Sequence, residues 1–537
     1  MKKLVCMILI MGLLGSLFVG CTSEDSQTDS TPTTDNTKET KKGSEKSETT
    51  GNEAVVIDWL AYQTSAQPDE EAEIVKMVEE RYNVDFNFWF IDDQKWNEAL
   101  NVRLASGDMP DVMRIRDDNL FNYVEQGVVV ELPIEKLEEK APDFVAAVNA
   151  YDPNGYLWNK SKLSDGKNYG WSMVQLDAKY HTILEWRQDW LSNVGITKVP
   201  ETLEEFEAAM YAFRNDDPNQ SGQQDTYGMS IKAMNAVFGA FGSPTNIENG
   251  SEVMIKDGEI VFTATQPEMK EALALLNKWY NDGIIDPEFI TGENTGGYWA
   301  LSHAFMNDRV GVTGGINYYH YAPPGKIEGP KGGPCYRETK AINPNAEVTL
   351  GSPIEGPYGQ GVLKGGMAGE LFGITAKATE SEAKVDVILT MLNDIFNDEE
   401  YSMMVSHGIQ GTHFELDESG EVNYLYDRDP VQMREQGIQI FDFLTGSPDV
   451  RSKIMSSRYE YAEKYATAPY YERPTMPSVD ALNENKETLK RITEEAYIQI
   501  ITGEKSVDYF DEFETLFNEN GGDESLKALN ETYNSLK

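Results

Sequence analysis

VVIDWL (residues 55–60), VDFNFWF (84–90) and VMRI (112–115) carry the reading of the fold. The first is an apolar run broken once by Asp58, the second alternates apolar and polar positions, and the third follows Pro110-Asp111. Short runs rich in β-branched and aromatic residues predict strands. Between them the period changes. In Glu70–Tyr82 the apolar residues Ile74, Val78 and Tyr82 recur every four positions, and Trp96–Ser106 returns to helical spacing before Gly107 stops it. Leu120–Gln126 predicts a short helix closed by Gly127. Strand and helix alternating three times predict an α/β fold, a mostly parallel sheet with helices on its faces.

A second unit follows. Thr202-Leu203-Glu204-Glu205 is a capping box, and Leu203, Phe206, Met210 and Phe213 then recur at helical spacing. Met254–Phe262 predicts a hairpin turning at Asp257-Gly258. Pro267 opens a helix with Met269, Leu273, Leu276 and Tyr280 on one face, ended by Gly283. From Ser381 onward the chain is expected to be mainly helical.

The start has a different character. Met1-Lys2-Lys3 precedes an apolar stretch from Leu4 to Val19, too short for a membrane span and suited to a secretory signal over 1–20. Phe18-Val19-Gly20-Cys21 resembles the lipobox of bacterial lipoproteins, with Phe18 where Leu is usual. That resemblance implies lipidation of Cys21, with palmitate among the acyl chains, and anchoring on the outer face of the cell membrane. Two acyl chains hold where one is marginal. From Thr22 to Glu53 no aliphatic or aromatic residue occurs, so 21–53 is read as a lipidated Cys and disordered linker.

The formal net charge is −44, from 90 acidic against 46 basic residues, which argues against nucleic acid as a partner. It favours, without excluding a local basic pocket, a neutral oligosaccharide over a uronate oligomer. Of three cysteines, Cys6 leaves with the signal and Cys21 is the lipidation site. Cys335 then stands alone and no internal disulfide forms.

Several segments resemble one family. Ala105-Ser106-Gly107-Asp108-Met109-Pro110-Asp111 looks like the turn after the second helix of solute-binding proteins of carbohydrate ABC importers. Arg187-Gln188-Asp189-Trp190-Leu191, then Gly195-Ile196 and Pro200-Glu201-Thr202, is similar to their second signature, and 217–228 to their Asp-rich loop. Gly503–Phe513 and the closing helix resemble their C-terminal end. The resemblance is strongest to large lipoprotein members, including alginate-oligosaccharide-binding proteins. It implies a two-lobed periplasmic-binding-protein-like fold (type II) with a hinge and a ligand cleft. The lobes are expected to be 54–175 with 300–365, and 176–299 with 366–537. It also implies a monomer that captures oligosaccharide and passes it to ABC transporter permease subunits. The alternatives are a lipoprotein that presents ligand to a membrane sensor, and a glycoside hydrolase. No G-x-S-x-G, H-E-x-x-H or P-loop motif occurs, so the chain is read as a non-enzyme.

Two sets of side chains are singled out. Asp217, Asn219, Ser221, Gln223 and Asp225 fall at positions 1, 3, 5, 7 and 9 of an EF-hand-like loop with Gly222 at position 6, a pattern suited to a structural Ca²⁺. Position 12 is Gly228, so the usual bidentate Glu is missing. Sugar rings stack on aromatic faces, and Tyr62, Trp171, Trp299, Tyr318 and Tyr319 lie where loops follow predicted strands. Arg187 is read as a donor to sugar hydroxyls.

Overall fold

The computed structural model describes residues 53–92, 95–116, 119–176, 184–290, 303–314, 318–363, 367–463 and 470–537. Cys21 and Trp299 lie outside them, as do the signal and linker. Along the chain the strands are β1 (Val55–Leu60), β2 (Val84–Phe88), β3 (Val112–Ile115), β4 (Trp171–Val174), β5 (Leu184–Arg187) and β6 (Tyr227–Met229). They continue as β7 (Val253–Lys256), β8 (Glu259–Phe262), β9 (Val310–Gly314), β10 (Val348–Gly351), β11 (Val362–Leu363) and β12 (Ala368–Ile374).

The opening pattern builds one sheet, in the order β2-β1-β3-β12-β4. β1 runs parallel to β2 and β3, with Trp59 opposite both Phe88 and Val112. The helix Glu73–Tyr82 buries Ile74, Val75 and Val78 against the sheet. It starts three residues later than the periodicity predicts, because the Asp69 carboxylate takes the Glu71 amide at 2.9 Å and forms a turn there. The Pro110-Asp111 turn has a packing role. Asp111, fully buried, accepts from the Asp58 amide at 2.8 Å and pairs with Lys384 at 2.7 Å, tying two strands to the helix Glu382–Asn397.

A second sheet has the order β10-β5-β9-β6. Leu184 and Trp186 of β5 enter a core with Phe206, Met210, Phe213 and Leu276, as the helical spacing predicts. Thr202 caps the helix Leu203–Asn215 by accepting from the Glu205 amide. Asp257 and Gly258 turn the β7–β8 hairpin with φ of 54° and 84°, the left-handed values a two-residue turn requires. Each sheet is covered by its own core, which gives two lobes of mixed α/β structure.

The segments return to these sheets in a different arrangement from that expected. β9 and β10, inside 300–365, pair with β5 and join the second sheet. β12, at the start of 366–537, enters the first sheet between β3 and β4. The helix Glu382–Asn397 and residues Ile438, Phe441 and Phe443 fill the first core, whereas the helix Asp480–Ile501 serves the second. Periodicity names an element but not its partner, and these pairings join residues more than a hundred positions apart.

Glu185 of β5 lies opposite Thr313 of β9, fully buried, with no hydrogen-bond donor from another residue to either carboxylate oxygen. Burial pushes its pKa well above the usual carboxylate range. The folded state therefore holds this proton to higher pH than the unfolded chain does. Its stabilising contribution is complete at acid pH and is lost as pH rises through the folded pKa. The melting temperature of Glu185→Gln should gain on that of the unaltered protein between pH 5 and 9. An offset constant with pH would show a carboxylate that ionises normally.

Candidate functional site

β4 is antiparallel to β12, and β12 is antiparallel to β3, so β1, β3 and β4 run the same way. Their C-terminal ends share one edge, the place where open α/β sheets bind ligands. A cavity opens there. Gln63 reaches it just beyond β1 and Gln175 just beyond β4, while Tyr319 and His320 enter from the second sheet, beyond β9. Glu328 and Pro334 also line it, and the segment 406–458 supplies the rest of the described wall, including Arg428, Arg434, Arg451 and Arg458.

The four guanidiniums differ in their ties. Arg434 donates to the carbonyls of Gln63 at 3.0 Å and Ile438 at 2.8 Å, which fixes the loop after β1. Burial brings its pKa down to about 10. Arg451 donates to the Thr445 carbonyl at 3.0 Å. Arg428 and Arg458 share one carboxylate, Glu328, at 3.3 and 3.2 Å. The Arg458 guanidinium also lies 3.5 Å over the ring of half-buried Tyr319. Asp442 is the other acid among the described lining residues, and burial pushes its carboxyl up to about 6. A separate groove brings Phe121, Tyr156 and Lys160 of the first lobe to face Asn249, Arg473 and Lys486 of the second.

Of the predicted ligand residues, Tyr319 lines the cavity and Tyr318 lies behind it. Tyr318 is fully buried, with its hydroxyl on the Arg458 carbonyl at 3.2 Å. Tyr62 is in the first core, donating to the Trp89 carbonyl at 2.8 Å. Trp171 is stacked on Phe372 with ring centres 6.0 Å apart. Arg187 has no exposed side-chain surface and spends its donors on Asp189, at 2.9 and 2.6 Å, and on Asp308. Sequence reasoning missed the arginines, the glutamines Gln63, Gln175 and Gln439, and Glu328.

The loop after the helix Leu203–Asn215 draws its oxygens together. Asp225 Oδ1 accepts from Asn219 and Ser221, both at 3.1 Å, and Asp217 Oδ2 accepts from the Gly222 amide at 3.0 Å. Asp217 Oδ1 is buried with no donor. Gly222 holds the sharp turn at φ 73°. Among the described residues no group of three or more His, Cys, Asp or Glu gathers as a metal cluster. The loop offers instead two carboxylates with amide, hydroxyl and carbonyl oxygens, a set that fits a hard cation.

A family model described as bacterial extracellular solute-binding protein matches residues 73–383, more than half of the chain, and the chain belongs to that family. Lipoprotein LipO of Bacillus subtilis is 24% identical over 513 residues, covering 92% of this chain and 95% of LipO. The polygalacturonan/rhamnogalacturonan-binding protein YtcQ of Bacillus subtilis is 22% identical over 555 residues, covering 100% and 99%. The fructooligosaccharide ABC transporter substrate-binding protein FusA of Streptococcus pneumoniae is 25% identical over 308 residues, 51% of this chain and 54% of FusA. Two FusA structures superpose with TM-scores of 0.67 at 18% identity, covering 89% of this chain and 99% of theirs. One holds kestose; the other is an EF-hand mutant with fructo-nystose.

Breaking a buried ion pair leaves uncompensated charge, so Arg187→Ala should cost about 3–5 kcal/mol in urea unfolding. Glycan affinity measured well below the melting temperature should stay within twofold. A large loss of affinity with little loss of stability would return Arg187 to the ligand.

Proposed function

We propose that this chain is a membrane-tethered receptor that captures an oligosaccharide outside the cell and hands it to an ABC importer. The observation that carries the reading is a cavity at the edge where both sheets end, walled by planar polar side chains from both lobes. Gln63, Gln175 and Gln439 offer amide donors and acceptors matched to neighbouring hydroxyls, and Tyr319 offers an aromatic surface. Movement of one lobe against the other would bury the ligand, and the closed form would be what the permease subunits recognise. The names of FusA and YtcQ, both glycan binders, support the ligand class. No catalytic residue is assigned, because the relatives are binding proteins. Cys21 is the anchor in this reading, and the lipoprotein LipO supports it.

Calorimetry against glycans of several classes tests the capture step. Tyr319→Ala should raise the Kd about tenfold, or ~1.4 kcal/mol. Failure of every glycan to bind, with turnover of one of them, would replace the receptor by a hydrolase.

The loop Asp217–Asp225 is assigned a structural Ca²⁺ that braces the second lobe. An ion that binds only the folded state raises its stability by mass action, so chelation should lower the melting temperature. Asp217→Ala and Asp225→Ala should each abolish that response with glycan affinity unchanged. Melting insensitive to chelator, in protein shown by elemental analysis to have carried calcium, would remove the stabilising role.

A further inference from the structure

We propose that the loop 323–333 is a latch that holds the second lobe closed on the first through ion pairs of the chain's own. The loop reads PPGKIEGPKGG, and its three charged residues, Lys326, Glu328 and Lys331, all reach across to the same neighbouring surface. The loop belongs to the second lobe. It leads into the helix Pro334–Ile342, whose Cys335 shares a core with Val310 of β9. The surface it meets belongs to the first. There the hairpin Phe414–Tyr424 packs with Met403 of the helix Glu399–His407, which also places Tyr401 and Val405 in the first core.

The charges match in order. Lys326 meets Asp417 and Glu421, the latter at 2.7 Å. Glu328 meets Arg428 at 3.3 Å and Arg458 at 3.2 Å, and Lys331 meets Asp427. The side chains of Glu328 and its two arginines are at most 9% exposed, whereas that of Lys331 is 64% exposed. An exposed pair contributes little, and removing one partner of a buried pair leaves charge uncompensated. Glu328 is therefore the centre of the latch and the lysines are its rim. Both sides are shaped in advance. Glu421 also accepts from the Ser456 hydroxyl and the Ser457 amide, each at 2.6 Å, which fixes the start of the helix that carries Arg458. In the loop, the Gly325 amide donates to the Gly329 carbonyl and the Gly333 amide to the Ala322 carbonyl, both at 2.9 Å. A loop held in this way presents its charges at little ordering cost. Glu328, Arg428 and Arg458 line the cavity beside Tyr319, so closing the latch also completes the cavity wall. The inference needs the two lobes and not the identity of what the cavity holds.

Small-angle X-ray scattering on the mature protein without added sugar, at 50 and 500 mM salt, tests the latch. The unaltered protein should scatter as the closed arrangement. Lys326→Glu combined with Lys331→Glu sets like charges across the boundary and should raise the radius of gyration at low salt. High salt should bring it back toward the unaltered value, because exposed charges are screened. Lys326→Arg with Lys331→Arg keeps the charges and should leave the radius unchanged. Glu328→Gln should raise it at both salt concentrations, since buried pairs are screened far less. A curve for the double reversal that superposes on that of the unaltered protein at low salt overturns the latch. So does an expansion that high salt leaves undiminished, which marks a packing defect, or an unaltered protein whose scattering already fits separated lobes. If Glu328→Gln fails to melt cooperatively, the surface variants decide alone.

Discussion

Strand β12 is the constraint on which the first lobe rests. It fills the space between β3 and β4, with Gly373 opposite Met113 and Phe372 opposite Trp171. Without it the sheet would split into a parallel piece and a lone strand, each with an unpaired edge. The approach is close. A Cβ on Gly170 would lie 2.0 Å from the Phe372 carbonyl, so that position has no room for a side chain. The antiparallel insertion also makes β4 run with β1 and β3. That direction brings Gln63 and Gln175 to the same edge, so the cavity is a product of strand order before it is a product of side chains.

Among the described residues the cavity gathers arginines by a division of faces. Between 428 and 458 the sequence holds Arg428, Arg434, Arg451, Arg458 and Lys453 beside Asp429, Glu435, Asp442 and Asp449. Averaged along the chain these nearly cancel. In three dimensions the arginines turn inward, while Lys453 pairs with Glu399 at the surface and the Asp449 carboxylate takes the Tyr151 hydroxyl. The acidic balance of the whole chain therefore does not describe the residues placed along this recess.

The same sorting explains how much was legible in the sequence. The first three strands, their helices, the Asp-Gly hairpin and the Thr202 cap follow from period and turn chemistry, which act over a few residues. The family signature could be read too, though its parts prove structural: Asp111 ties strands to a helix and Arg187 closes an ion-pair network. Site residues were harder. Tyr62 is one of the expected platforms, yet its neighbour Gln63 lines the cavity; Tyr318 and Tyr319 are both expected there, yet of the two it is Tyr319 that lines it. Neighbouring residues point in different directions, as Tyr318 and Tyr319 do within one turn of 3-10 helix, and an aromatic at a strand exit belongs to the core as readily as to the cleft. Which segment returns to which sheet was not legible, because long-range pairing leaves no local period.

Cys335 sits at the start of the helix Pro334–Ile342, 1% exposed, packed against Phe305 and Tyr321. Burial raises its thiol pKa well above the ordinary value, so the reactive thiolate is scarce as well as shielded. The helix it begins leads to β10 on the second sheet and lies just after the loop that carries Tyr319 and Glu328. Modification of this one sulfur thus requires that region to open, and the rate at which a thiol reagent consumes it is a clock for local unfolding behind the cavity wall.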